Sequence, residues 1–169
     1  MTRNWLKPDW DTGLSITNLP IKHFVDIGIK ALLLDVDGTL LNSKEKYPHT
    51  SVLLWIKEAK NNFKLHLFSN NPSKKRIETI SKELQVNYTY KAAKPLRGPL
   101  RKLLLEHQHD PKQTAIVGDR LFTDVIVGNR LGLYTVLVKP LGPNGKQCKY
   151  NRTQQIEQLI AGLLGVEKK

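Results

Sequence analysis

The sequence predicts an α/β protein, a doubly wound parallel sheet with helices on both faces. Short apolar runs of strand length recur from residue 31 onward. Segments with apolar residues at helical spacing separate them, joined by short connections, as crossovers between parallel strands require. Each run stops abruptly in polar or glycine-containing turn sequence, the expected carboxyl edge of a buried sheet.

The elements follow in order. Ala31 to Leu34 reads as a buried strand ending in Asp-Val-Asp-Gly. Thr50 to Asn62 carries Val52, Leu53, Ile56 and Ala59 at helical spacing. Lys64 to Phe68 is a second strand, stopped by Ser-Asn-Asn-Pro, and Ser73 is placed to cap a helix carrying Ile77, Ile80 and Leu84. Tyr88 to Tyr90 reads as a short third strand, followed by a helix from Pro99 through Leu103 to Glu106. Thr114 to Val117 is the fourth strand, Phe122 to Leu131 a helix closed by Gly132, Tyr134 to Val138 the fifth strand, and Gln154 to Leu164 a terminal helix. Residues 139–151, rich in Gly, Pro and Lys, read as a mobile or surface-contact loop.

The 169 residues, 40% hydrophobic, suit one globular domain with its own core. Within the expected single domain 1–169, residues 1–28 read as an N-terminal extension packing on or near it, and 139–169 as a basic loop plus the last helix. The lone Cys148 has no partner for a disulfide and no evident base, so it reads as a free thiol in a reducing compartment. No run reaches the roughly 20 apolar residues that span a bilayer. The first 30 residues carry Asp9, Asp11 and Asp26 and are broken by Pro8 and Pro20, unlike a signal peptide. The chain is therefore expected to stay where it is made. Its 27 basic and 15 acidic residues give a net charge of +12, which favours anionic partners: nucleic acid, anionic lipid or phosphorylated substrates. A lysine-rich surface with no such partner has the same composition.

In a fold of this class the ligand site lies beyond the carboxyl ends of the strands. There the sequence places Asp35-Val36-Asp37-Gly38-Thr39, Ser69-Asn70-Asn71, Lys94, and Gly118-Asp119-Arg120 with Asp124. Alternation sends Asp35 and Asp37 to one side, and two carboxylates so close call for a shared cation or a proton-transfer role. An EF-hand begins similarly, but no glutamate follows at the required place and the flanks are strand-like. The hydroxyl and amides of Ser69 and Asn70 can bind a phosphate oxygen. A lysine at position 94 can neutralise phosphate charge, and Asp119 can complete an all-oxygen site suited to Mg²⁺.

Asp-x-Asp-Gly-Thr, then Ser, then Lys, then Gly-Asp with a further Asp, each at a strand end, resembles the four-motif signature of haloacid dehalogenase-like (HAD) phosphatases over roughly residues 30 to 140. The resemblance implies a Rossmann-like fold and an aspartyl-phosphate mechanism. Asp35 would be the nucleophile, Asp37 the general acid/base and Lys94 the group that positions Asp35 and offsets charge. Thr39, Ser69, Asn70 and Lys94 would contact substrate. It further implies Mg²⁺ held by Asp35, the carbonyl of Val36, Asp37 and Asp119, with Asp124 as a further ligand or support. Each interval between motifs is used up by one helix and the next strand, so no cap is expected and the site should be open.

Phe68-Ser69-Asn70-Asn71, Ala93-Lys94-Pro95, Gly118 to Asp124 and Gly128-Asn129-Arg130-Leu131-Gly132 look like the YqeG-type branch, which is similar to the mitochondrial and plastid phosphatidylglycerophosphate phosphatases. Where that branch commonly has Asn, this chain has Gly38. The resemblance implies hydrolysis of phosphatidylglycerophosphate, an anionic phospholipid, by a cytoplasmic protein peripheral on the inner face of an anionic membrane. The segment from Trp5 to Phe24 is a candidate for interfacial contact, or else a strand or loop packed across the domain. Arg97, Arg101, Arg120 and Arg130 are candidates for a second phosphate or the lipid surface. Two other functions compete: a phosphatase of soluble sugar phosphates or nucleotides, and a basic RNA- or ribosome-associated protein on the same scaffold. The complete acidic constellation and the lack of an aromatic-rich RNA-binding motif speak against a nucleic-acid partner. His49, His66, His107 and His109 show no metal spacing joined to the carboxylates and read as structural or surface residues.

Overall fold

A computed structural model describes residues 4–165. Its centre is a six-stranded, all-parallel sheet ordered β1-β6-β5-β2-β3-β4. The strands are β1 (Trp10–Asp11), β2 (Ala31–Leu34), β3 (Lys64–Phe68), β4 (Asn87–Thr89), β5 (Thr114–Gly118) and β6 (Tyr134–Leu137). The helices are α1 (Ile21–Asp26), α2 (Thr50–Lys60), α3 (Lys74–Leu84), α4 (Arg97–Glu106), α5 (Ile126–Leu131) and α6 (Arg152–Leu163). Alternation along the central strand sorts the core into two layers. Leu32 and Leu34 pack with Phe24, Val52, Ile56, Ile77 and Ile80 on one face. Leu33 packs with Phe68, Leu100, Leu103 and Val127 on the other. The doubly wound arrangement follows from that alternation.

Local chemistry sets the boundaries. The Ser73 hydroxyl accepts from the Arg76 N–H and starts α3, and Gly132 at φ 78 closes α5 in the left-handed conformation. Helix α4 begins two residues before Pro99, which sits at the third helical position. No intrahelical acceptor exists there for an N–H, so proline is tolerated. The helix expected from Phe122 opens as a π-helical turn over Leu121–Val125, a wide turn of the kind that often re-aims functional side chains.

The N-terminal segment takes the second of its two expected readings and packs across the domain. Trp10 and Asp11 add a parallel edge strand to β6, and Ile16, Leu19, Ile21 and Phe24 are buried in the core. The Trp55 indole N–H donates to the Leu19 carbonyl at 2.9 Å. Ile16, Leu19, Ile21 and Phe24 are therefore core and Trp10 is half-buried, whereas Trp5 and Leu14 stay exposed. A two-residue strand and a six-residue helix are too short for either to show periodicity. The 139–151 loop is also anchored: Leu141 is buried and its N–H donates to the Gly38 carbonyl at 2.7 Å. Among the described residues there is no cap, and no helix is long and apolar enough to cross a membrane.

His66 of β3 is buried beside His107 and His109, its Nε2 2.9 Å from the Thr89 hydroxyl. Burial first, then the two neighbouring rings, pushes its pKa down to about 4. A depressed histidine stabilises the fold fully above its ordinary pKa, and that contribution is lost as pH falls from about 6.5 through about 4. His66→Gln should therefore flatten the loss of stability across this window by an amount on the order of 3 kcal/mol. Urea denaturation at pH 7 and pH 4.5 checks this, and parallel curves for the two proteins would refute it.

Candidate active site

Strand β2 lies at the centre of the sheet, where the chain crosses from the β3–β4 side to β5, the place where doubly wound sheets open a crevice. The Asp35 N–H continues the ladder to the Val117 carbonyl at 2.9 Å, so the Asp35 carboxyl leaves the strand end directly into that crevice. Lys94 enters from the loop after β4. Its ammonium, almost wholly buried, donates to Asp35 Oδ1 at 2.6 Å, Asp124 Oδ1 at 2.6 Å and the Phe68 carbonyl at 2.7 Å. Asp119 leaves the end of β5, and the π-helical turn brings Asp124 back to the same ammonium.

Asp35, Asp119 and Asp124 are all buried, and one oxygen from each lies within 4.8 Å of the others. Burial raises the Asp35 pKa to about 6, with Asp124 adding to the rise and Lys94 opposing it. Asp119 is pushed well above the usual carboxylate range by burial and then by Asp35 and Asp124. Burial alone would lower Lys94, but Asp124 and Asp35 hold it above the ordinary lysine range. One ammonium against three carboxylates leaves the cluster two charges short of neutrality. An all-oxygen donor set with that deficit fits a hard divalent cation such as Mg²⁺. Glycines keep the cluster tight. At Gly38, φ 92, a Cβ would lie 2.4 Å from Asp119 Oδ2, and at Gly118 one would lie 2.2 Å from Asp124 Cγ. An Asn at position 38 would need a different Asp119 side-chain position.

Several expected roles change. The Asp37 carboxylate does not join the acidic cluster. Arg76 donates to its Oδ1 from Nη2 at 2.7 Å and Nε at 3.1 Å, and Asn71 Nδ2 donates to its Oδ2 at 2.6 Å. The Val36 carbonyl, expected as a metal ligand, accepts from the N–H groups of Thr39, Leu40 and Leu41 and so closes the turn instead. The Thr39 hydroxyl, fully buried, donates to Asp119 Oδ1 at 3.2 Å and positions that carboxylate rather than substrate. The Asn70 side chain clamps the Lys94 backbone, accepting from its N–H at 2.7 Å and donating to its carbonyl at 2.9 Å. Lys94 itself has all three hydrogens engaged, so it orients Asp35 and Asp124 and leaves none for substrate. Ser69 is buried at the crevice, and its Oγ accepts from the Asn71 N–H at 3.1 Å, leaving the hydroxyl hydrogen to donate.

Sequence reading placed Asn71 at the strand end without its role and missed Arg76, Gln154 and Glu157. Asn151 and Gln154 form a reciprocal cap at the start of α6. The cap fixes the Gln154 side-chain oxygen, so its NH₂ faces Asp119 and donates to both Oδ2 and the main-chain carbonyl. Glu157 accepts from Arg120 and from the Leu121 N–H. The capping pair at 151 and 154 was a readable signal for the helix start. Nothing in the sequence marked Arg76 among so many basic residues. A cleft of about 250 Å³ opens beside the carboxylates, lined by Asp37, Gly38, Asp119, Arg120, Lys149 and Gln154 among others. Of the four arginines expected near substrate only Arg120 lines this cleft, and its guanidinium is paired with Glu157.

Comparison with known proteins gives a consistent setting. The sequence matches the family profile described as mitochondrial PGP phosphatase over residues 3–141. It is 30% identical over 166 residues to the probable phosphatase YqeG of Bacillus subtilis (strain 168), covering 97% of this chain and 94% of that protein. It is 36% identical over 56 residues to the mitochondrial phosphatidylglycerophosphatase GEP4 of Saccharomyces cerevisiae, covering 33% of this chain and 28% of that one. The fold is shared with 3-deoxy-D-manno-octulosonate 8-phosphate phosphatase from Moraxella catarrhalis, solved with magnesium ion, phosphate ion and KDO. The TM-score is 0.51 at 16% identity, covering 84% of this chain and 90% of that chain.

Proposed function

The chain belongs to the PGP phosphatase family of HAD-type phosphatases, and on that premise we propose that it hydrolyses phosphatidylglycerophosphate to phosphatidylglycerol through a phosphorylated Asp35. The observation that carries the mechanism is the buried Lys94 ammonium, which grips Asp35 by Oδ1 and so leaves Oδ2 to attack. The observation that favours a lipid is the open crevice: among the described residues nothing folds over it, so a headgroup presented by a surface can reach it.

Mg²⁺ held by Asp35, Asp119 and Asp124 would draw in the phosphoryl oxygens and offset their charge. Ser69 donates its hydroxyl hydrogen to one of those oxygens. Asp35 Oδ2 forms a bond to phosphorus as the bond to the glycerol oxygen breaks, and Asp37 gives that oxygen a proton. Asp37 then takes a proton from water, whose oxygen attacks the same phosphorus. The bond to Asp35 breaks, releasing inorganic phosphate and restoring the carboxylate. Arg76 and Asn71 hold Asp37 as a carboxylate at the mouth of the crevice. It therefore takes up a proton from solvent before it serves as the acid, and returns to that carboxylate form to serve as the base. Thr39 and Gln154 hold Asp119, and Asn70 holds the Lys94 backbone, so three residues act by positioning others. The site would work with the protein peripheral on the inner, cytoplasmic face of an anionic membrane.

Phosphate release from phosphatidylglycerophosphate in mixed micelles, beside soluble sugar phosphates and nucleotides, tests the reading. Turnover of the lipid should exceed that of every soluble ester by about 10²-fold in kcat/KM, and chelation of Mg²⁺ should remove it. Preferred turnover of a soluble ester would retain the chemistry and refute the lipid assignment.

A further inference from the structure

The last helix is built inside out. Gln154, Glu157 and Ala161 face inward, on Asp119, on Arg120 and against Leu121 and Val125. The outer face carries Ile156, Leu159, Ile160 and Leu163, also at helical spacing, exposed by 56, 69, 37 and 87%. A surface helix of a water-soluble protein has the reverse arrangement, and a contiguous exposed apolar stripe marks an interaction surface. Just past the end of α6, Leu164, Trp5, Phe122 and Ile126 line an open apolar groove of about 940 Å³. Pro95 and Thr123 also line it, each next in sequence to a residue of the acidic site. The groove thus reaches from the end of α6 to the loops that hold Lys94 and Asp124.

The rim of this surface is basic. Arg130 lies 5.6 Å over the Trp5 ring and donates to the Pro95 carbonyl at 3.1 Å. Arg97 and Arg101 are exposed on α4, and Arg152 is exposed at the start of α6. With a net charge of +12, such a rim repels a second copy of the chain and attracts an anionic surface. Tryptophan, with an apolar body and a polar N–H, favours the boundary between headgroups and acyl chains.

We propose that the outer face of α6 and the Trp5 groove form the surface by which the protein lies on an anionic lipid bilayer. The leucines and isoleucines enter the acyl region, and the arginines meet the headgroups. What the docked protein does there rests on the lipid phosphatase reading, whereas docking itself is read from the helix. Because the inner face of α6 carries Gln154 and Glu157, the element that meets the bilayer is also the one that holds Asp119 and Arg120. Docking then brings the crevice to the level of the headgroups.

The test uses the full chain as wild type, Leu159→Gln/Leu163→Gln and Trp5→Phe, with vesicles of phosphatidylcholine alone or mixed with phosphatidylglycerol. Wild type should sediment with the anionic vesicles and be released by salt. The double variant should lose about tenfold or more of that partitioning and keep wild-type turnover of a soluble phosphate ester. Anionic vesicles should shift the Trp emission of wild type to the blue, and Trp5→Phe should lose most of that shift. Undiminished vesicle binding by the double variant overturns the proposal. It is also overturned if wild type ignores vesicles and is a dimer that the double variant splits, which gives the face to a second copy. Vesicle binding as expected without hydrolysis of phosphatidylglycerophosphate leaves the docking surface standing and refutes the substrate.

Discussion

Asp35→Asn is expected to reduce phosphate release by about 10⁴-fold or more while leaving the fold intact. An amide of the same shape keeps the packing but cannot take up a phosphoryl group. Lys94 would still be held by Asp124 and the Phe68 carbonyl. The effect on stability has a definite sign. A carboxyl whose pKa is raised to about 6 favours the fold most below its ordinary value of 3.8, and that contribution is lost as pH rises through about 6. At neutral pH without Mg²⁺ the ionised Asp35 therefore opposes folding, by an amount on the order of 2–3 kcal/mol. The variant lacks this penalty and should melt at or above the wild-type temperature in chelator. Mg²⁺ should stabilise wild type clearly and the variant much less, because a cation that binds only the folded state raises its stability by mass action. Activity within tenfold of wild type would remove Asp35 as nucleophile, and a clear drop in melting temperature would make its carboxylate structural.

Lys94→Met should damage the fold more than any other single change at the site. The substitution leaves Asp35, Asp119 and Asp124 buried together with no cation of the protein's own among them. Breaking a buried pair on one side costs about 3–5 kcal/mol, because the partner charge stays buried and uncompensated. That is a large share of the roughly 5–15 kcal/mol that holds a domain folded. Urea denaturation in chelator should show the loss, and Mg²⁺ should restore part of it. Lys94→Met/Asp124→Asn should recover much of the stability and none of the activity, separating the charge balance of the fold from the catalytic need for an oriented Asp35. A single variant within about 1 kcal/mol of wild type would show that the ammonium is not the counter-charge the geometry suggests.

Much of the fold was legible because its causes are local. Ala31–Leu34 and Thr114–Gly118 are strands because an uninterrupted apolar run of strand length is best buried on both faces. Lys74–Leu84 is a helix because Ile77, Ile80 and Leu84 recur on one side and Ser73 caps the start. The first strand and helix were not legible: Trp10 and Asp11 form a strand only because β6 offers them an edge.

From residue 31 onward the sequence alone determined the order of strands and helices and the set of polar residues at the strand ends, because covalent geometry and burial act along neighbouring positions. It also determined the family, through motifs that keep their order. Only the tertiary structure decided which partner each polar side chain takes. Asp37 pairs with Arg76, 39 positions away, instead of joining Asp35 two positions before it. Asp119 is held by Thr39, 80 positions back, and by Gln154, 35 positions on. These pairings depend on how helices lie across the sheet, and periodicity says nothing of that. The same limit hid the outward apolar face of α6. Its spacing marks an amphipathic helix, but which face meets the protein is settled by the buried Asp119 and the half-exposed Arg120, whose partners Gln154 and Glu157 lie on the polar side.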